Sequence, residues 1–190
     1  MTPVLLLHSA LGLRPAVQRL AARLRGAGHM VAVPDLLDGH VNSDVAEGVR
    51  QRDRVGAEEL ARRAWNAADS LGGPFAVIGM SLGGGLAQHL LETRDDVTAA
   101  AILHNARPTS LAPASRGLPL KVHVSERDRW VRPADARALA DVSTAGQLFT
   151  YAGDAHLFMD DDLPWYAPAH AALAEQRLLS MLAGVGDSPT

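Results

Sequence analysis

The chain has 190 residues, is 47% hydrophobic, and carries a formal net charge of −3 with a pI near 6.2. This is the length of one domain with enough apolar material for a core, which excludes an intrinsically disordered chain. The mild negative charge leaves no electrostatic footprint for nucleic acid or an anionic membrane. The absence of cysteine removes disulfides, thiolate metal sites and a cysteine nucleophile.

The first apolar run, within VLLLH (4–8), follows no basic segment and is shorter than a signal h-region or a membrane span. It predicts the first strand of a cytoplasmic protein. A helix follows from Pro15, with Val17, Leu20, Ala21 and Leu24 on one face and glycines at its end. MVAVP (30–34) predicts the second strand. Residues 39–56 are polar and without a clear apolar period, and they predict a loop or partial cap over the sheet edge. A helix with Leu60, Ala64, Ala67 and Leu71 at helical spacing leads to the strand FAVIGM (75–80), after which a helical pattern resumes. TAAAILH (98–104), LKVHVS (120–125) and QLFTYA (147–152) predict three more strands, and Pro133 and Pro168 each open a helix. Strands this continuously apolar belong in a parallel sheet covered on both faces. The alternation predicts a doubly wound α/β fold, mostly parallel, in a single domain over residues 1–190.

Ligands of such sheets gather at the carboxyl ends of the strands, where a serine, acids and a histidine all fall. Ser81 stands in Gly79-Met80-Ser81-Leu82-Gly83, a G-x-S-x-G pattern with a strand before it and a helix after it. In that context the pattern reads as a nucleophile on a sharp turn, in preference to a helix-capping serine. Leu82 N–H and the helix dipole would face a developing oxyanion. The base should come late in the chain. His156, in the loop after the last strand, fits that order better than His170 on a helix or His29 at the opposite edge. For the acid, Asp128 is favoured over Glu126, with Asp154 third because it lies so close to His156 in sequence. Ala10, in the small-residue loop after the first strand, is the expected second oxyanion donor. Ser9, Leu11 and His104 are candidate substrate contacts. Trp130, Trp165 and Tyr166 read first as packing residues, and Trp130 is kept as a candidate pocket wall. No H-E-x-x-H spacing, phosphate loop or dinucleotide fingerprint occurs, so neither a metal nor an organic cofactor is expected.

The segments VLLLHSALGLRPAVQRLAARLRGAGHMVAVPDLLDG, IGMSLGGGLA, VSERDRWV and YAGDAHLF together resemble the dienelactone hydrolase family of α/β hydrolases, over nearly the whole chain and in the family's order. The resemblance implies Ser81 as nucleophile, Asp128 as orienting acid, His156 as base, and Ala10 and Leu82 as oxyanion hole. Well-known members carry cysteine at the elbow where this chain has Ser81, and the acidic residue of their first loop is replaced by Ser9. Arg50 and Arg54 lie where the family's carboxylate-binding arginines are sought. The implied activity is cleavage of a small ester or lactone through an acyl-enzyme, by a monomer or homodimer without nucleic-acid or membrane partners. A thioesterase or short-chain carboxylesterase on the same residues, or a non-catalytic binding member of the fold, stands as the alternative.

Overall fold

The computed structural model describes residues 2–185; Met1 and residues 186–190 of the expected domain lie outside the described residues. Six parallel strands form one sheet in the order β2-β1-β3-β4-β5-β6. They are β1 (Val4–Leu7), β2 (Val31–Ala32), β3 (Phe75–Met80), β4 (Val97–Leu103), β5 (Arg116–Ser125) and β6 (Ser143–Tyr151). The helices are α1 (Pro15–Gly26), α2 (Val45–Val55), α3 (Ala57–Asp69), α4 (Leu82–Thr93), α5 (Pro133–Ala140) and α6 (Pro168–Val185). All six expected strands are present, and the doubly wound α/β expectation holds. No helix among the described residues is long and apolar enough to cross a membrane.

The apolar runs explain the layering. Every residue of β1 and of β3 is buried, because side chains alternate between two covered faces. Val4, Leu6, Ala76 and Ile78 pack with α1 and α6, and Leu5, Leu7, Phe75 and Val77 pack with α3, α4 and α5. In α1 the expected stripe of Val17, Leu20, Ala21 and Leu24 is buried. Strand order reverses between β1 and β3, which opens a crevice at their carboxyl ends. The loop after β1 and the turn into α4 meet there.

Residues 39–56 depart from the expectation, since most of them form α2. Asp44 caps this helix by accepting the Glu47 N–H at 2.8 Å, Glu47 accepts from Ser43 N and Oγ at 2.9 Å, and Gly56 ends it at φ 87°. The buried positions of α2 are Gly48 and Gln51, which give no apolar stripe to read. A Cβ on Gly48 would stand 2.6 Å from the Ala10 carbonyl oxygen, so the helix rests directly on the loop after β1.

The glycines around Ser81 are required by close approach. A Cβ on Gly79 would meet the Gly83 carbonyl oxygen at 2.1 Å, and one on Gly83 would meet those of Leu7 and His8 at 2.2 and 2.7 Å. Gly83→Ala is therefore expected to cost about 1–3 kcal/mol or more of unfolding free energy in urea titrations. Gly85→Ala, whose nearest contact would be an ordinary 3.5 Å to Arg107, should be neutral or stabilising by up to about 1 kcal/mol. Equal behaviour of the two variants would contradict this packing.

Candidate active site

Ser81 sits between β3 and α4 with φ 52° and ψ −106°, a backbone state that L-residues avoid and that local contacts must hold. Three hydrogen bonds do so. Ser81 N–H donates to Leu103 O at 2.8 Å, Asn105 Nδ2 donates to Ser81 O at 2.9 Å, and Gly83 N–H donates to His8 O at 3.0 Å. The turn lifts Oγ into the crevice, where it lies 2.9 Å from His156 Nε2.

His156 follows β6, and its Nδ1 lies 2.7 Å from Asp128 Oδ2. Asp128 sits in the turn after β5 with its side chain fully buried, and its Oδ1 accepts the Trp130 N–H at 3.0 Å. An ionised carboxylate can only accept, so Nδ1 carries the proton and Nε2 presents a lone pair to the Ser81 hydroxyl. One side-chain and one backbone hydrogen bond seat both loops: Ser125 Oγ donates to Ala155 O at 2.7 Å, and Arg127 N–H donates to Gly153 O at 3.0 Å. Glu126 and Asp154 are exposed and outside this chain of hydrogen bonds.

The loop after β1 is braced from every side but one. Leu11 N–H donates to Ser9 Oγ, Gly12 N–H to Ser9 O, Asn42 Nδ2 to Ala10 O and Asn42 N–H to Leu11 O, all at 2.8–3.2 Å. Ala10 N–H and Leu82 N–H find no acceptor among the described residues. Buried backbone donors are normally paired, so these two are free for a ligand.

A cleft of about 740 Å³ opens over Ser81, with Ala10, Leu82, His104, Trp130 and His156 in its lining. Its far wall comes from α2 and α3 through Val45, Val49, Arg52 and Ala61. Several sequence expectations are corrected here. Arg50 and Arg54 lie on the exposed side of α2 and do not line the cleft, whereas Arg52 does, because the helical period turns only one of the three inward. Leu11 is core, packed with the α1 residues, and Ser9 is buried bracing its own loop. Sequence reasoning missed Val45, Val49 and Arg52 because α2 was not expected as a helix. Asn105 is among the polar residues just past a strand end but has no role in the sequence reading, and it holds the Ser81 carbonyl. Among the described residues, the clustered acids Asp160, Asp161 and Asp162 lie apart from the cleft and are engaged by Arg14 and Arg19.

With this geometry in hand, the profile of the dienelactone hydrolase family matches residues 1–186. The chain belongs to that family. As a dienelactone hydrolase family member it is a hydrolase acting on ester bonds. Among solved structures it is similar to a dienelactone hydrolase-like promiscuous phosphotriesterase from metagenomic libraries, at 20% identity and TM-score 0.79, with 97% of this chain and 87% of that one covered. It is also similar to a Paleococcus ferrophilus monoacylglycerol lipase, at 17% identity and TM-score 0.69, with 95% and 96% covered. A third is a cold-adapted esterase from an Arctic intertidal metagenomic library, at 14% identity and TM-score 0.64, with 95% and 82% covered. No curated protein matches the sequence. These likenesses carry the fold.

Three histidines, His8, His104 and His123, are fully buried. The His104 ring packs edge-on to His156 at 6.0 Å and to Phe158 at 4.5 Å, and neither of its nitrogens has a partner. Burial, then the nearby His156 and His123, holds its pKa well below the usual value. Burial, then the charges of Arg177 and Lys121, pushes His123 down to about 3. Burial also lowers His8, whose Nε2 accepts the Leu36 N–H at 2.9 Å. All three bind protons more readily in the unfolded chain, which titrates near 6.5. Their contribution is thus complete above that pH and declines as pH falls below it, by about 1.4 kcal/mol per pH unit for each proton taken up. The urea midpoint should fall from pH 6.5 toward 4.5, less steeply in His123→Leu. An identical slope in the variant would contradict the assignment.

Proposed function

We propose that this family member is a serine hydrolase that cleaves a small ester or lactone through an acyl-enzyme. The single observation that carries the reading is the continuous chain from Ser81 Oγ to His156 Nε2, and from His156 Nδ1 to Asp128 Oδ2, at 2.9 and 2.7 Å. Ser81 Oγ attacks the ester carbonyl while His156 Nε2 takes its proton, and Asp128 holds the tautomer and balances the imidazolium. The carbonyl oxygen, now an oxyanion, accepts from Ala10 N–H and Leu82 N–H, both unengaged and held by braced backbone. The C–O bond then breaks, the alcohol leaves with the proton from His156, and a water activated by the same nitrogen releases the acid.

Several features support serine chemistry in place of the cysteine of well-known relatives. The base lies within hydrogen-bonding distance of the hydroxyl, and Ser9 brings no carboxylate near it. The cleft suits a small acyl group in a medium-sized pocket, with α2 as a partial cap that shelters it from water. The thioester alternative uses the same residues and differs only in the leaving atom.

Steady-state hydrolysis of 4-nitrophenyl acetate tests the roles. Ser81→Ala and His156→Ala are expected to lower kcat by roughly 10⁴-fold or more, and Asp128→Asn by about 10⁴-fold. Glu126→Gln should stay within about twofold of the parent, as expected for an exposed residue outside the catalytic hydrogen bonds. A large loss in Glu126→Gln with Asp128→Asn near normal would reverse the assignment of the acid. Activity retained in Ser81→Ala would dismiss the acyl-enzyme.

A further inference from the structure

A second cleft, of about 350 Å³, also has His156 in its lining. His156, Trp130 and Val45 line both clefts, whereas Ser81 and Ala10 line only the larger. Trp130 thus borders both spaces, and Trp165 borders only the smaller one. Both tryptophans are tied to the catalytic residues themselves, Trp165 through its indole and Trp130 through its backbone. Trp165 Nε1–H donates to His156 O at 2.5 Å, and the backbone N–H of Trp130 donates to Asp128 Oδ1 at 3.0 Å. Trp130 and Trp165 are nevertheless 49% and 41% exposed. Two large aromatic surfaces left open, facing one small space and anchored to the reacting group, mark a ligand site more than ordinary surface. Arg127, Arg129 and Asp154 share the lining, so charges of both signs are present and the aromatic walls select the occupant.

The chemistry says which part of a substrate goes there. When the tetrahedral intermediate collapses, the C–O electron pair leaves with the alcohol oxygen and the acyl carbon stays on Ser81 Oγ. The proton that neutralises that oxygen comes from His156 Nε2. The alcohol portion must therefore lie on the His156 side of the serine, with the carbonyl oxygen turned toward Ala10 and Leu82. Resting on the serine-hydrolase reading above, we infer that the space between Trp130 and Trp165 is a leaving-group subsite that selects esters of flat, aromatic alcohols. A volume of about 350 Å³ is at the small end of ligand pockets, which run about 300–1,000 Å³, and it suits one ring.

Two ester pairs separate this from a general effect on activity. Benzyl acetate and ethyl acetate place the ring on the alcohol or omit it, with leaving groups of similar basicity. Ethyl phenylacetate and ethyl acetate do the same for the acyl side. The wild-type protein should prefer benzyl over ethyl acetate in kcat/KM by about tenfold. Trp130→Leu and Trp165→Leu should each reduce that ratio to within about twofold of unity, and Trp165→Leu, which alters only the smaller cleft, should leave the ethyl phenylacetate ratio unchanged. A wild-type ratio near one, or a Trp165→Leu variant that alters both ratios alike, would overturn the subsite. A second measurement is independent of turnover. Ser81→Ala protein titrated with benzyl alcohol should show movement of the Trp130 and Trp165 indole N–H signals in NMR spectra, with Trp65 still. Such shifts, together with a wild-type protein that hydrolyses none of these esters, would count against the serine-hydrolase reading while keeping the aromatic site. Turnover without a benzyl preference or indole shifts would remove the subsite alone.

Discussion

The backbone of Ser81 is held where a serine would not rest by choice. A positive φ of this kind costs on the order of 1–3 kcal/mol, and the surrounding contacts fix it. The sheet grips one side through the Leu103 carbonyl, Asn105 grips the other, and Gly83 lets α4 start against the end of β1. These contacts arise from packing two parallel strands and a helix at the crevice where strand order reverses. The elbow is thus a consequence of the sheet, and the rest of the site is arranged around where it points.

The same constraint accounts for the loop after β1. Because α4 begins against Leu7 and His8, that loop has to turn sharply over the elbow. Its carbonyls and most of its amides are then spent on Ser9 and Asn42, which leaves Ala10 N–H beside Leu82 N–H without an acceptor. Helix α2 completes the brace, since Gly48 allows it to lie on the Ala10 carbonyl. Helix α2 is thereby coupled to the loop after β1: a shift of α2 would move the backbone proposed to receive the developing charge. In the smaller cleft, the walls are likewise fastened to Asp128 and His156, so the proposed leaving-group site would keep its alignment to the base.

Much of this was legible in the sequence, for definite reasons. Buried parallel strands need continuous apolar runs, so β1, β3 and β4 stood out. The glycines at 79 and 83 were readable because no side chain fits at those contacts. The positions of Asp128 and His156 followed from strand ends. α2 was hidden because its buried face is Gly48 and Gln51 and its apolar residues face a cleft that the sequence does not display. Its cap, Asp44 with Glu47, was present and was outweighed by the polar run that follows. Arg50 and Arg54 could not be sorted from Arg52 without the helix that gives each a direction. Trp130 and Trp165 looked like packing residues because a tryptophan's partners are tertiary. Nothing in a linear pattern shows two indoles 35 positions apart meeting around one histidine.

The central claim is that Ser81 is a nucleophile activated by His156. Intact-protein mass after treatment with a serine-directed fluorophosphonate tests it most directly, in wild type, Ser81→Ala and His156→Ala. The account predicts a single adduct on wild type and none on either variant. An unmodified, folded wild-type protein, or an adduct that survives in Ser81→Ala, would contradict it.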